Sequence, residues 1–405
     1  MSSSYWAVLR TPGAARLFGA ALIGRLSYGT VSLSLLLAVA GTTGSYARAG
    51  WVMAVFSTVS VLLSPARAGL VDRYGPRRAL PPMAAGYALT LVGLAAATWS
   101  SGTPYPVLLV LAAAAGGCAP PLGPVTRAQW SRLVTDPELR RRAYSLDTVA
   151  EELLYVTGPL LAGVLAAAAR PAAGVLLSAV LVLGGTIALA VTVPREAAVD
   201  RADTAEQGGS SSTRGLLVRA RQPLAAAAGV GAGLGAFALL AVVFAGRHGR
   251  DADVAWVEAA LAAGSAIGGL ALGAVNWRAA AGNRLAVLTA VLGAALALAA
   301  LAPNLPVLAV VAAVAGLAVA PTLTTAYLLT DEIALPEQRT RAGAWVNTAF
   351  NAGGSASTAL VGLLTEHVPL SVCLLLAAAP VLAALAAAPT WRPRPAHDRT
   401  VPAKG

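Results

Sequence analysis

Stretches of about twenty apolar residues, separated by short polar turns, recur along almost the whole chain. A bilayer core about 30 Å thick takes roughly that many residues per helix, so each stretch predicts one span. Six fall at about 17–40, 46–66, 79–99, 104–126, 144–168 and 172–193, and six more at about 223–245, 254–275, 285–302, 305–329, 342–364 and 368–390. No stretch alternates apolar and polar positions as a barrel strand does. The pattern predicts an all-α integral membrane protein with twelve transmembrane helices. One long polar stretch, residues 194–222, carries Gly208, Gly209 and three serines at its middle and reads as a flexible linker. It divides the chain into six-helix halves at 1–193 and 223–391, followed by a tail at 392–405.

Composition agrees with the pattern. Of 405 residues 57% are hydrophobic and 12% charged, and the mean hydropathy is +0.70, values no soluble globule of this size carries. The formal charge of +11 would point to nucleic acid in a soluble protein. Here position decides instead. Apart from Arg25 inside a span and Arg48, Arg170, Arg247 and Arg250 on the opposite side, every basic residue falls on the side that carries both termini. Basic residues stay cytoplasmic, so both termini are expected in the cytoplasm of a multi-pass protein of the cell inner membrane, with no nucleic-acid partner. The start, MSSSYWAVLRTPGAARL, lacks the basic, apolar and cleavage regions of a removable signal, so the first span is expected to direct insertion. Cys118 and Cys373 lie singly in apolar spans and imply no disulfide or metal framework.

The loop from Ala68 to Leu80, AGLVDRYGPRRAL, concentrates one acid, three arginines and a Gly-Pro turn between two spans. Gly75 and Pro76 turn the chain, and the arginines hold the loop at the cytoplasmic surface. The loop resembles the signature of the major facilitator superfamily, with Asp72, Arg73, Gly75, Arg77 and Arg78 matching and Ala68 replacing the leading glycine. The resemblance implies a bacterial twelve-span secondary transporter, acting as a monomer. It also implies that Asp72 engages the start of the eleventh span, where Arg339 and Arg341 lie, and latches the halves together. A loop held within its own half by Arg73 or Arg77 is the other reading.

The halves repeat weakly. Pro137, Glu138, Arg140, Arg142, Ala143 and Gly163 reappear 199 positions later as Pro336, Glu337, Arg339, Arg341, Ala342 and Gly362. Gly116 and Pro121 recur as Gly316 and Pro321, and Asp72 falls opposite Asn276. Two pseudo-symmetric six-helix halves are the architecture of that superfamily. Pro120, Pro121 and Pro124 in the fourth span and Pro321 in the tenth predict matching interruptions near the moving parts.

Charges inside spans mark candidate function, because each is costly in the bilayer. Arg25 lies in the first span, and the fifth opens RRRAYSLDTVAEELLYVTGPLLAG. Asp147, Glu151 and Tyr155 share a helical stripe with Glu152 on its flank. Arg25 is expected to pair with Glu151 or Glu152, either as a proton-coupling site or as a permanent ion pair. Asp147, nearer the surface, is expected to be solvated or paired within Arg140 to Arg142. Gly158, Pro159 and Gly163 resemble the fifth-span motif of superfamily antiporters, with Ala162 in place of one glycine. By the same resemblance Tyr28, Phe237, Thr325 and Tyr327 are candidate cavity residues beside Arg25, with Trp345, Asn347 and Asn351 contributing from span eleven. Many proton antiporters of the family carry a buried arginine in the fourth span; here Arg127 is expected at the cytoplasmic end of that span.

These features imply export of a hydrophobic or amphipathic small molecule in exchange for protons, with no cofactor and no metal. Proton-linked uptake of a metabolite or sugar, or a transport-inactive sensor, are the alternatives. An enzyme is not expected, since His248, His367 and His397 are scattered. A phosphate-binding loop would need a lysine, and Lys404 is the only one.

Overall fold

The computed structural model describes residues 5–99, 102–193, 213–250, 253–275, 279–365 and 367–387. The helices are α1 (Tyr5–Arg10), α2 (Ala14–Thr43), α3 (Tyr46–Tyr74), α4 (Pro76–Trp99), α5 (Tyr105–Cys118), α6 (Leu122–Leu133), α7 (Pro137–Ala168) and α8 (Pro171–Thr192). They continue as α9 (Thr213–Arg219), α10 (Arg221–Arg247), α11 (Val254–Ala274), α12 (Ala281–Leu298), α13 (Leu305–Ile333), α14 (Arg339–Leu364) and α15 (Leu370–Ala383). Among the described residues eleven segments are long and apolar enough to cross a membrane, α5 and α6 together forming one of them. A twelfth helix, α14, is long enough but more polar. Its Asn347, Asn351, Ser355 and Thr358 face an internal cavity rather than lipid.

Local chemistry sets the turns. Gly44 and Gly75 take positive φ of 64° and 79° where α2 and α3 stop. Ser45, Asp136 and Asn304 cap α3, α7 and α13 through side-chain oxygens. In the fourth span the chain leaves helix at Ala119 to Pro121, where neither proline has an N–H to continue the ladder. The matching site in α13 behaves differently, since Pro321 sits inside one continuous helix of 29 residues. The expected pair of interruptions is therefore a break on one side only.

One apolar core is built from residues between Leu17 and Val193 and a second from residues between Val230 and Val381. A third joins both parts of the chain, with Phe18, Trp130 and Tyr144 packed beside Ala226, Ala326, Tyr327 and Val346. The glycines of α10 thin that helix on two faces. A Cβ on Gly231 would lie 1.9 Å from the Phe350 carbonyl of α14, and one on Gly229 would lie 2.8 Å from the Pro380 carbonyl of α15.

Part of the expected linker is described. Thr213–Arg219 is helical, and Leu216 packs with Ala334 and Ala342. Residues 194–212 of that linker, Asn276 and the tail lie outside the described residues.

Candidate functional site

The end of the bundle that carries the Gly75 turn, α1 and α9, termed the basic end, is closed by contacts between the two parts of the chain. Asp72, in the last turn of α3, accepts the backbone N–H groups of Thr340 at 3.1 Å and Arg341 at 2.8 Å. A carboxylate there meets two of the unpaired N–H groups and the positive end of the α14 dipole. The Arg341 guanidinium lies over Gly69, where an added Cβ would come within 2.8 Å of it. The close approach thus belongs to Gly69, while Ala68 is simply buried. Arg73 lies over the Tyr74 ring, Arg77 donates to the Val193 carbonyl at 2.9 Å, and Arg78 is exposed. On the other flank Tyr5 of α1 donates to the Leu270 carbonyl, Arg142 to Gly273 and Ser145 to Gly269.

Deeper in the bundle two arginines and two acids alternate. Arg25 of α2 lies 2.7 Å from Asp147 and 3.0 Å from Glu151 of α7. Arg127 of α6 lies 3.0 Å from the other Asp147 oxygen and is hydrogen-bonded to Glu151. Its guanidinium also covers the Tyr327 ring, 3.7 Å from the centroid. Asp147 is fully buried and both arginines nearly so. The quartet is neutral, and each acid, one turn apart on α7, touches both cations.

This geometry corrects two expectations. Asp147 is neither solvated nor paired with Arg140 to Arg142, because α7 begins at Pro137 and places Asp147 nearly three turns inside. Arg127 is not terminal to its span, since α6 continues to Leu133 and is buried between the two parts of the chain. No apolar run marks that depth in the sequence; the only signal was the proline break that restarts the helix.

Glu152 points to a different neighbour. One oxygen accepts the Ser265 hydroxyl of α11 at 2.5 Å, and the other is buried without a partner. It lines a cavity of about 1040 Å³ bounded by α7, α10, α11, α13 and α14. The lining runs out to Ala255 and Ala359, at the ends of α11 and α14 remote from the basic end. A smaller cavity of about 230 Å³, lined by Arg25, Tyr28, Arg67 and the broken strip at Ala119 to Pro121, shares Glu151, Tyr155, Asn347 and Asn351 with it. Arg67 is consumed by carbonyls, bonding Ser60 at 2.6 Å and Gly116 at the unfinished end of α5.

Of the expected cavity residues, Tyr28 and Tyr327 line these spaces, as do Asn347 and Asn351. Phe237 and Thr325 do not. Phe237 is packed in the second core and Thr325 is fully buried, because the helix rotations turn them toward neighbouring helices. Gly158 abuts Gly29 of α2, with room for no side chain, whereas nothing lies within 4 Å of a Cβ on Gly163. Pro159 stands inside the continuous α7. Among the described residues no group of three His, Cys, Asp or Glu is placed to hold a metal ion.

The model of the Major Facilitator Superfamily matches residues 17–279 and 248–405. The chain belongs to the major facilitator superfamily. It is a multi-pass membrane protein of the superfamily's transporter fold. A bacterial homologue of the iron transporter ferroportin, in an outward-facing state, superposes with a TM-score of 0.71 at 14% identity, covering 92% of this chain and 97% of its own. The human organic anion transporter TETRAN gives 0.69 at 13%, covering 95% and 99%. The Escherichia coli fucose:proton symporter gives 0.67 at 14%, covering 94% and 98%. At such identity these likenesses concern the fold of the superfamily. No curated protein matches the chain in sequence.

The Asp72 contact carries a measurable expectation. Asn in its place accepts one N–H where the carboxylate accepts two, and it lacks the charge that favours a helix start. In a variant lacking Cys118 and Cys373, a cysteine at Gly343, which faces Pro124 across the closed end, is expected to react about tenfold faster with a soluble maleimide when Asp72→Asn is added. One lost charge-assisted hydrogen bond corresponds to that ratio or more. Equal rates would show that Asp72 does not hold this end closed.

Proposed function

We propose that the protein is a secondary transporter that exports an amphipathic small molecule in exchange for protons. The observation that carries this reading is the large, mostly apolar cavity with Glu152 in its wall, set above a basic end closed by Asp72. The arginine distribution favours a cytoplasmic basic end, and in that orientation the cavity opens outward. Rocking of residues 1–193 against residues 223–391 would break the Asp72 contact and expose the same cavity to the inside.

The exchanging carboxylate in this reading is Glu152 rather than Glu151. Glu151 is held by two arginines of the same half of the chain. Glu152 has one hydroxyl partner and an unpaired oxygen, so its charged form needs a proton or a ligand in the low-polarity wall. Protein in liposomes with an imposed pH gradient is expected to move protons when substrate is added on one side. Glu152→Gln is expected to lose at least tenfold in the number of protons moved per substrate molecule, whatever the change in substrate flux itself. Undiminished proton coupling in that variant would remove Glu152 from the mechanism, and accumulation along the proton gradient would favour uptake over export.

A further inference from the structure

We propose that the cavity is built for a lipophilic cation, its charge held between Glu152 and Glu258 and its apolar body against Tyr155, Tyr327 and Phe350. This rests on the reading above that the cavity is the substrate site.

The charge balance of the lining comes first. Its acids are Glu151, Glu152 and Glu258, and among the described lining residues there is no Lys, Arg or His. Glu151 is neutralised within the arginine quartet. Glu152 and Glu258 make no ion pair among the described residues, which leaves two carboxyl groups in the wall without a countercharge. Carboxyl groups so placed in a site lined by apolar helices are ionised most readily beside a cation and oppose an anion.

Geometry narrows the ligand further. The Ser265 hydroxyl receives the Ala320 N–H at 3.1 Å and gives its own proton to Glu152, so it is fixed in place. The second Glu152 oxygen is buried in the cavity wall without a hydrogen-bond partner. Glu258 precedes Ser265 by seven residues, two turns along the same face of α11, or about 10 Å. One carboxylate therefore sits deep and the other toward the outer mouth, an arrangement that draws a cation inward along one wall.

The same lining holds the rings of Tyr155 and Phe350, and aromatic faces attract a desolvated cation, while Tyr327 is already covered by Arg127 on one face. A volume of about 1040 Å³ lies at the top of the range of roughly 300–1,000 Å³ for drug-sized ligands. A bare metal ion would need several oxygen or nitrogen donors converging on one point, and no such group of three exists among the described residues. A sugar would leave the Leu234, Leu261, Val319 and Leu323 walls unused.

The test uses two probes of the same shape and opposite charge. Purified full-length protein in uncharged detergent is titrated with tetraphenylphosphonium and with tetraphenylborate, and binding is followed by equilibrium dialysis. The phosphonium is expected to bind at least tenfold more tightly. Glu152→Gln and Glu258→Gln are each expected to weaken it about tenfold, with thermal midpoints checked to show that both variants remain folded. Equal binding of the two probes, binding unchanged in the double variant, or displacement of the phosphonium by equimolar manganese would each overturn the proposal. Carboxylate-dependent binding without proton exchange in liposomes would uphold the cation site and sink the transport reading. Proton exchange with neutral compounds, combined with no phosphonium binding, would do the reverse.

Discussion

Arg127→Leu is expected to destabilise the protein by about 3–5 kcal/mol, the usual cost of leaving a buried charge without its partner. Arg127 lies between Asp147 and Glu151, and Asp147 is fully buried. With Arg127 gone, two carboxylates compete for Arg25 alone. The thermal midpoint of the purified variant should fall steeply, or no folded protein should be recovered. Arg127→Lys is expected to restore little, because a point charge cannot address two acids and cover Tyr327 at once. The diagnostic variant is the double replacement Arg127→Leu with Asp147→Leu. It removes one charge of each sign, keeps the Arg25 to Glu151 pair and leaves the site neutral. It should recover most of the lost stability, a strongly non-additive outcome. If the double variant is as unstable as the sum of its parts, the quartet is not an electrostatic unit.

Gly158→Ala is expected to be damaging and Gly163→Ala harmless, although the two glycines belong to one motif. A Cβ on Gly158 would fall 2.4 Å from the Gly29 carbonyl carbon, backbone against backbone, so α2 and α7 would have to separate. Overpacking of this kind costs about 1–3 kcal/mol or more. The separation would also draw Arg25, one turn from Gly29 on α2, away from Asp147 and Glu151 of α7. A Cβ on Gly163 meets nothing within 4 Å. Replacement of a glycine in a helix then gains a few tenths of a kcal/mol to about one. Thermal midpoints of the two single variants decide the matter, and equal falls would mean that the motif acts through helix flexibility rather than contact.

Much of the architecture is legible from pattern. Bilayer thickness converts apolar run length directly into helices, and the arginines gather at one end, so spans and a basic end are written locally. Motifs at turns are local as well. Gly75 and Pro76 make their turn from backbone preference alone, and the acid one turn before it faces a helix start. Asn347 and Asn351, unusual for a span, signalled that α14 faces something other than lipid.

The sequence by itself therefore determined twelve long helices, a basic end, a loop with Asp72 at it and a deep arginine needing an acid from the fifth span. Only the tertiary structure decided which acids serve which partner. Glu151 and Glu152 are neighbours in sequence but about 100° apart around α7, so one meets two arginines and the other meets Ser265 and a cavity. Arg127 and Asp147 lie in polar-looking stretches whose burial comes from helices of both parts of the chain closing over them, which hydropathy does not record. Phe237 and Thr325 sit on helices expected to line the cavity, yet the rotation of each helix, set by the glycine contacts and side chains of its neighbours, turns them into packing. Local chemistry specifies helices and ends, and the azimuth of each side chain depends on what the assembled bundle places beside it.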